Sequence, residues 1–428
     1  MRSDSSAAGA RDPLPTAPSI LIFATTWWPL AARLAVRLRD VGANVTALIP
    51  QHQPAQAVRG LSGVYPLRPF FVARAVDDAV EAVRPELVVP TDDTAVWLLH
   101  DLARRRPEYA ALVEHSVGSR EHSAALRSRR AFLAVVQLLG IPCSVPSLVG
   151  SAADIDAMIA RSVFPVVLKY DGTSGGYGVV IAHDAEELRR GYRMLLRHRL
   201  PLRRVKRLLI DGDCTALYHP STFPPDEITQ QPYIPGVPAN GLFVADRGEV
   251  IADLQVRVAR ALSATGAAVV VDRMEHPRML EAARKIAARL RLSGFFGLDF
   301  ILHTETGEPW LLEINPRATQ LCHIPLEPTR SRFATLADAV CGLIGGAEQA
   351  HASAHVLVRE RRQAVHGRFA FFPQSLTLNP EDPELASAVV DCPEEEPELV
   401  KELMRPTWPQ RRPWLRLYNR VLGWIDRG

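Results

Sequence analysis

The sequence predicts an α/β protein in which a small doubly wound parallel-sheet domain precedes α+β lobes. Three observations support this prediction. Residues 18–120 alternate short apolar runs with helical patterns. Further along, Phe295–Leu302 and Trp310–Arg317 are apolar, β-prone runs on either side of a turn-like segment, Glu305–Pro309. A second pair of strand-like runs flanks a glycine-rich loop. The last two patterns are typical of antiparallel hairpins.

The first domain is expected to start with a buried parallel strand. Ile20–Phe23, Val45–Ile49 and Leu87–Pro90 are strand-like, and Leu30–Val41 is a helix between the first two. Because no Gly-x-Gly-x-x-Gly follows the first strand, a dinucleotide site is not expected there. Residues 1–17, rich in Ser, Ala, Gly and Pro, are predicted to form a disordered tail.

The segment Pro90-Thr-Asp-Asp93 follows a predicted strand and has two interpretations. Ligands bind at the carboxyl ends of strands in open α/β sheets, so the two aspartates can line a substrate cleft. They can equally cap a helix that begins near Ala95. The sequence leaves both open.

The most informative residues are Asp299, Glu313 and Asn315. In a hairpin centred near Glu305–Thr306, Asp299 lies opposite Glu313, and Asn315 shares their face. Buried carboxylates are costly unless they are paired or bind a metal. Three hard oxygen ligands suit Mg²⁺ shared with substrate phosphates. The alternative is a strand acid paired with an arginine.

A glycine-rich loop forms the second signal. Phe164–Tyr170 and Val179–His183 are strand-like, and Asp171–Gly178 between them contains four glycines. Such a loop lets backbone N–H groups cradle phosphate oxygens. Only four of the 50 basic residues are lysines, and one of them, Lys169, stands at the mouth of this loop. An ordinary glycine-rich hairpin is the alternative.

Taken together, these motifs resemble the ATP-grasp superfamily, most closely its carboxylate–amine ligase and carbamoyl-phosphate-synthase-like branch. The resemblance is specific over about residues 120–330 and looser over 19–120. It is carried by Val167–Lys169 with its loop, by Gln230–Gly236, by Gly297–Asp299, by Leu312–Arg317, and by Ser128-Arg129 upstream of Gly140-Ile-Pro142.

The resemblance implies a fold, ligands and roles. Residues 121–330 would form the two ATP-grasp lobes, a glycine-loop lobe at about 150–235 and a metal-site lobe at about 236–330. The ligands would be ATP and two Mg²⁺ ions, for which Mn²⁺ can substitute, with Asp299, Glu313 and Asn315 as metal ligands. The expected nucleotide contacts are Arg129, Lys169, Gly172, Ser174, Gly175, Gly176, Gln231, Pro232, Tyr233 and Ile234.

Two of the matched motifs depart from the family pattern. The hinge that receives adenine usually carries Gln-Glu, whereas this chain has Gln231-Pro232. Proline keeps its carbonyl, so that acceptor remains, but a side-chain acid is lost. Ser128-Arg129 stands where an acid–lysine pair is commoner. Arginine retains the charge and adds a forked donor for phosphate, so its role is expected to persist.

The motifs also suggest roles for three further sites, at Arg317, Arg257 and Cys322-His323. Arg317 follows Asn315 on the same face and is expected to hold the substrate carboxylate and then the tetrahedral oxyanion. Arg257, in the alternating run Leu254–Arg260, is a candidate for γ-phosphate and acyl-phosphate charge, or else a surface strand arginine. Cys322 and His323 are expected to line the acceptor pocket rather than to bind metal or act as nucleophiles.

Composition is consistent with an enzyme of small molecules. The 428 residues are 47% hydrophobic and 23% charged, enough for two or three domain cores. The net charge of +3 argues against a nucleic-acid partner. Five irregularly spaced cysteines without a CxxC fit a reduced, cytoplasmic setting. The segment before Ser19 lacks a positive n-region, and no apolar run is long enough to span a membrane.

The C-terminal region is less informative. Residues 331–428 form an appendix in which Pro413–Arg427 has apolar residues at helical spacing beside arginines. That helix can dock on the body or on a second subunit, which leaves a homodimer open, or it can contact a membrane surface.

The function that follows is an ATP-dependent ligase. It would join a carboxylate to an amine, with amino-acid or peptide-like substrates, through an acyl phosphate and release ADP and phosphate. The alternatives are another ATP-grasp activity, namely a bicarbonate-using carboxylase or a small-molecule kinase, or a non-catalytic nucleotide-binding regulator.

Overall fold

The computed structural model describes residues 17–51, 53–171, 178–197, 213–218, 220–327, 331–345, 367–371, 389–391 and 397–404. The described strands are β1 Ser19–Phe23, β2 Asn44–Pro50, β3 Gly63–Leu67, β4 Leu87–Pro90, β5 Ser147–Leu148, β6 Val166–Tyr170, β7 Val179–Ala182, β8 Ile228–Pro232, β9 Gly236–Asp246, β10 Glu249–Ala261, β11 Ala268–Met274, β12 Gly294–His303, β13 Pro309–Asn315, β14 Arg368–Phe371 and β15 Val389–Asp391. The described α-helices are α1 Leu30–Asp40, α2 Val72–Val83, α3 Asp93–Arg105, α4 Ala110–Val117, α5 Ser123–Leu126, α6 Arg129–Leu138, α7 Ala152–Ile159, α8 Ala185–Leu196, α9 Pro277–Leu290, α10 Leu336–Gly345 and α11 Pro397–Met404.

The N-terminal sheet is parallel and has the strand order β3-β2-β1-β4. Helix α1 packs on one face, whereas α2 and α3 pack on the other. The predicted doubly wound sheet is therefore confirmed. The sequence did not reveal β3, because this half-exposed edge strand contains glycine and proline.

The second sheet is antiparallel, with the order β5-β8-β6-β7. It carries α7 and α8 on one face and has a core of its own around Leu168, Leu188 and Ile228. Strands β6 and β7 form the predicted glycine-loop hairpin, in which Lys169 pairs with Val179. This small lobe is thus a separately packed layer.

The large sheet has the order β13-β12-β9-β10-β11-β14-β15 and is antiparallel except for its last pair. One face packs against α6 and α9. The other face shares a continuous core with α1 and the N-terminal sheet. The hairpin of β12 and β13, which carries the predicted metal ligands, lies at the edge of this sheet, beside the N-terminal domain.

The C-terminal region contributes to the large sheet. Strands β14 and β15 extend it beyond β11, and α10 packs into the core shared with the N-terminal sheet. Part of the predicted appendix is therefore integral to the fold. The sequence did not predict this, because the two strands are short and far apart in the chain. The predicted C-terminal helix at Pro413–Arg427 and residues 1–16 of the predicted tail lie outside the described residues.

Helix α9 illustrates how local signals set an element's ends. Pro277 occupies its first turn, where the missing N–H costs nothing. Arg291 adopts a left-handed conformation with φ of 48°, and the helix ends just before it, at Leu290.

None of the α-helices in the described segments combines the length and the apolar character that a membrane span requires.

Candidate active site

The hairpin of β12 and β13 brings the predicted acids together. Asp299 pairs directly with Glu313, and Asn315 pairs with Gly297, two residues away on the same face. The Asn315 amide donates to the Asp299 carboxylate at 3.0 Å. Because Asp299 and Glu313 contact each other, the predicted register and the convergence of three oxygen-bearing side chains are confirmed.

A fourth side chain completes this cluster. Asn240 on β9 pairs with Asp299 and donates to its other carboxylate oxygen. The sequence analysis missed Asn240. Its position, an asparagine within an otherwise apolar strand, was the available signal.

Arg129 connects the carboxylates to the small lobe. Its guanidinium lies 2.5 Å from Asp171 and 2.8 Å from Glu313. Ser128 caps the first turn of α6, and this cap fixes where Arg129 leaves the backbone. The Arg129 side chain is only 12% exposed, so the cation spans the cleft between the glycine-loop hairpin and the metal hairpin.

Lys169 approaches the same charges from β6. It is almost fully buried, and burial lowers the pKa of its ammonium to about 8, as does the neighbouring charge of Arg129. Glu313, Asp299 and Asp171 act in the opposite direction. Two cations and three carboxyl groups therefore lie close together in one cleft.

The two hairpin acids differ in protonation behaviour. Burial and the charge of Glu313 raise the pKa of Asp299. Burial acts on Glu313 as well, but Arg129 and Lys169 together hold its pKa below the usual range. Added positive charge would stabilise the doubly ionised form of this pair.

These residues fit a hard divalent cation. Within the described segments, no group of three or more His, Cys, Asp and Glu side chains is arranged to hold a metal ion. A cation would therefore have Asp299, Glu313 and the Asn315 amide oxygen as protein ligands and would take its other ligands from substrate or water. Few protein carboxylates and many outside oxygens are what Mg²⁺ usually accepts.

The structure describes the two ends of the glycine loop. Tyr170 donates its N–H to Gly178 at 2.8 Å, which closes the base of the hairpin, and Asp171 at its start is 4% exposed. The loop positions named by the sequence analysis lie outside the described residues, namely Gly172, Ser174, Gly175 and Gly176.

The predicted adenine hinge lies where β8 ends. Gln231 and Ile234 are buried, whereas Pro232 and Tyr233 are exposed. Pro232 pairs with Val166 of β6. The segment thus joins the small sheet to β9 of the large sheet, as expected of an interdomain hinge.

Strand β8 also presents two buried oxygens toward the cleft. Thr229 pairs with Lys169 and therefore shares its face, and Gln231 is two residues further along that face. Among the described residues, the Thr229 hydroxyl and the Gln231 carbonyl oxygen have no hydrogen-bond partner. An unsatisfied buried polar atom is costly, so these two atoms are candidates for ligand contact. The sequence analysis named Gln231 but missed Thr229.

Arg317 joins the large sheet to the N-terminal domain. Its guanidinium donates to the Asp93 carboxylate at 3.0 and 3.3 Å and to the side-chain amide oxygen (Oδ1) of Asn315 at 3.0 Å. Asp92, in contrast, accepts from Thr25 and from the Ala95 N–H. Asp92 therefore caps α3, which is one of the two interpretations, whereas Asp93 pairs with Arg317.

The structure does not bring Arg257 into the site. Arg257 pairs with Ala239, which pairs with Phe300, one position beyond Asp299 and on the opposite face of the sheet. Its side chain is 54% exposed and pairs with Asp272 at 3.0 Å. The expectation that Arg257 contacts the γ-phosphate and the acyl phosphate was wrong, because Arg257 lies on the other face of the sheet. The alternation of side chains along a strand does not by itself tell which face meets the cleft.

Cys322 and His323 lie in a short 3-10 turn after the metal hairpin. They are 0% and 2% exposed, and Cys322 packs in the core that the large sheet shares with α1. This burial is consistent with a packing contribution behind the site. The structure describes neither of them as part of the charged cluster.

Comparison with known proteins supports the family that the sequence motifs resemble. A family model described as the ATP-grasp domain matches residues 211–320. The N-terminal section of the carbamoyl phosphate synthase large chain from Methanopyrus kandleri is 26% identical over 269 residues, covering 62% of this chain. This chain spans 45% of the length of that relative.

Solved structures share the fold. One is the biotin carboxylase domain of a Hydrogenobacter thermophilus 2-oxoglutarate carboxylase, in complex with magnesium ADP and bicarbonate, with a TM-score of 0.55 at 15% identity over 76% of this chain and 69% of that one. Another is an L-amino acid ligase from Bacillus licheniformis, with a TM-score of 0.50 at 13% identity over 72% and 68% of the two chains. At these identities the likeness shows the fold alone.

Proposed function

Because this chain carries an ATP-grasp domain, we propose that it is an ATP-dependent ligase that joins a carboxylate to an amine and releases ADP and phosphate. One observation carries this proposal. The side chains of Lys169, Arg129, Glu313, Asp299, Asn315 and Arg317 lie next to one another, from the small lobe to the arginine that pairs with Asp93 of the N-terminal domain. Such an array places phosphate-binding cations at one end and a carboxylate-binding arginine at the other.

The nucleotide end is formed by the small lobe and the hinge. Lys169 and Arg129 are buried cations in one cleft, so each can bind a phosphate oxygen with little competition from water. The buried oxygens of Thr229 and Gln231 lie between Lys169 and the hinge. We assign Gln231, Pro232, Tyr233 and Ile234 to the adenine side, and the amides of the glycine loop to the phosphates.

Magnesium, with Mn²⁺ as a substitute, would be held by Asp299, Glu313 and Asn315, where it neutralises charge on a transferring phosphoryl group. The chain's own contribution is to hold those oxygens. Asn240 and Asn315 each donate to Asp299, which fixes the orientation of that carboxylate. Arg129 does the same for Glu313.

The acceptor end is formed by Arg317. A carboxylate held there lies beside Asn315 and hence next to the phosphate-binding residues. A carboxylate oxygen attacks the γ-phosphorus of ATP, the bond from that phosphorus to the bridging oxygen breaks, and ADP leaves. The amine then attacks the acyl carbon, phosphate departs with the C–O bond electrons, and the nitrogen loses a proton. The fixed charges act by positioning and by electrostatic stabilisation.

The small-molecule partners are a carboxylate and an amine, and we assign the protein to the cytoplasm. Among the described residues, Cys143, Cys214, Cys322 and Cys341 form no disulfide bond, which supports a reducing compartment. A homodimer, left open by the sequence, remains a prediction that analytical ultracentrifugation can test.

The test is a coupled product analysis. The protein is incubated with ATP, Mg²⁺, a pool of carboxylates and a pool of amines, and the nucleotide products and any condensed product are identified by mass spectrometry. We expect ADP, phosphate and a product lighter than its two parts by one water. Detection of AMP and pyrophosphate would overturn the proposal.

The same assay separates the alternatives. ADP release that requires bicarbonate indicates a carboxylase. A phosphorylated product formed without an amine indicates a kinase. ATP binding without turnover in any combination indicates a regulator.

A further inference from the structure

The N-terminal sheet has a topological switch point between β1 and β4. Helix α1 after β1 packs on one face of the sheet, and α3 after β4 packs on the other. The chain therefore diverges at the carboxyl ends of these two neighbouring strands, and this is the topology at which open α/β sheets form a crevice. In open α/β sheets this is where ligands bind.

The end of β4 lies against the segment that carries Arg317, the arginine at the proposed acceptor end. The Ala318 N–H donates to the Pro90 carbonyl oxygen at 3.2 Å, which fixes the end of β4 against the segment after β13. Arg317 on that segment reaches Asp93, the first residue of α3. The end of β4 and the segment after the metal hairpin are thus in direct contact.

Asp93 is the residue that remains available in the crevice. Asp92 supplies the helix cap and is satisfied by Thr25 and Ala95, so α3 does not need Asp93 for this purpose. Among the residues that the structure describes, Asp93 pairs with Arg317 alone. Their side chains are 38% and 15% exposed, so a small ligand can reach both charges.

A ligand that binds Arg317 must replace Asp93 as its partner. A simple carboxylate would leave the Asp93 charge without a cation in a partly buried setting, which is unfavourable. A ligand that carries both a carboxylate and an ammonium replaces both partners of this ion pair. Its carboxylate pairs with the Arg317 guanidinium, and its ammonium pairs with the Asp93 carboxylate. The charge balance of the ion pair is then preserved.

We propose that this crevice binds the carboxylate substrate as a zwitterionic α-amino acid, with Arg317 on its carboxylate and Asp93 on its ammonium. This inference rests on the proposed ligase function. The ammonium held by Asp93 has no lone pair and is not the nucleophile. The bound amino acid therefore supplies the acyl group, and a second molecule supplies the amine that forms the new C–N bond.

The experiment compares amino acids with their des-amino analogues. ADP release by the full-length protein is measured with ATP, Mg²⁺, an amine pool and either a panel of common α-amino acids or the matching monocarboxylic acids, such as alanine against propionate. We expect the best amino acid to exceed its analogue at least tenfold in kcat/KM. Equal use of both classes, or use of monocarboxylates alone, would overturn the inference while leaving the ligase function intact.

The variant Asp93→Asn tests the residue itself. Its kcat/KM should fall at least tenfold for the amino acid but remain within about threefold for the des-amino analogue, so the selectivity ratio collapses. Asp93→Glu should restore part of that ratio. A merely structural role would lower both substrates together, and that result would contradict the assignment.

The matched control is Asp156→Asn, which breaks an Asp–Arg pair of 2.8 Å on the surface of the small lobe. It should leave the ratio unchanged. If no carboxylate of any kind supports ADP release, the ligase proposal fails and this inference fails with it.

Discussion

Arg129 donates to Glu313 at 2.8 Å, although 184 positions separate the two residues in the chain. The same guanidinium also holds Asp171 at the root of the glycine-loop hairpin. One arginine therefore ties the metal hairpin to the phosphate-binding lobe. The balance of charge in the cleft depends on this contact, since Arg129 is also a cause of the lowered pKa of Lys169 and of Glu313.

Glu313→Ala should abolish turnover without unfolding the protein. The loss removes a carboxylate that holds the metal and the charge stabilisation it provides, typically worth several kcal/mol. Arg129 keeps Asp171 as its ion-pair partner in the variant, so the guanidinium is not left without a counter-ion. ADP release and thermal melting are the measurements, and Glu305→Ala in the exposed turn of the same hairpin is the control. More than about a tenth of wild-type activity would contradict the role assigned to Glu313.

Lys169→Ala should weaken ATP binding more than Arg317→Ala does. Lys169 faces the phosphate end, whereas Arg317 lies beyond Asn315 beside Asp93. Nucleotide titrations on both variants, followed by ADP release against carboxylate concentration, separate the two effects. Arg317→Ala should keep ATP affinity nearly unchanged but lose carboxylate-dependent ADP release. If it loses ATP affinity as severely as Lys169→Ala, then Arg317 belongs with the phosphate site.

ATP affinity should fall as the pH rises through about 8. The pKa of Lys169 in the free protein is about 8, lowered chiefly by burial. Phosphate binds the protonated ammonium, so affinity is full below this pH and is lost above it. Between pH 7 and 9 the dissociation constant should rise by about fivefold to tenfold. Lys169→Arg keeps its charge and should flatten the profile, and an equally steep profile in that variant would show that another group is responsible.

Thr229→Val should have opposite effects on stability and on binding. The hydroxyl is buried and, within the described part of the chain, unpaired, so an isosteric methyl removes an unfavourable polar burial and should leave the free energy of unfolding unchanged or raise it by about 1 kcal/mol. The loss of a ligand hydrogen bond should weaken ATP about fivefold to tenfold. Denaturant unfolding and nucleotide titration test both signs, with Thr229→Ser as the control that keeps the hydroxyl. Unchanged ATP affinity would show that Thr229 does not contact the nucleotide.

The sequence by itself determined the local geometry of the site. The pairing of Asp299 with Glu313 follows from two apolar runs and the turn between them, because strand register is set by side-chain alternation and turn length. The strand that carries Lys169 is likewise a local signal. The parallel N-terminal sheet followed from alternating buried strands and helices.

The tertiary structure alone decided which distant residues meet. Nothing in the spacing of Arg129 and Glu313, or of Asp93 and Arg317, shows that they pair, because each contact depends on how separately formed layers pack. The wrong placement of Arg257 has the same cause. Its strand was predicted, but which face of the sheet meets the cleft depends on which face packs against the hydrophobic core. Local chemistry is encoded within a few residues, whereas the convergence of charges is a property of the packed fold.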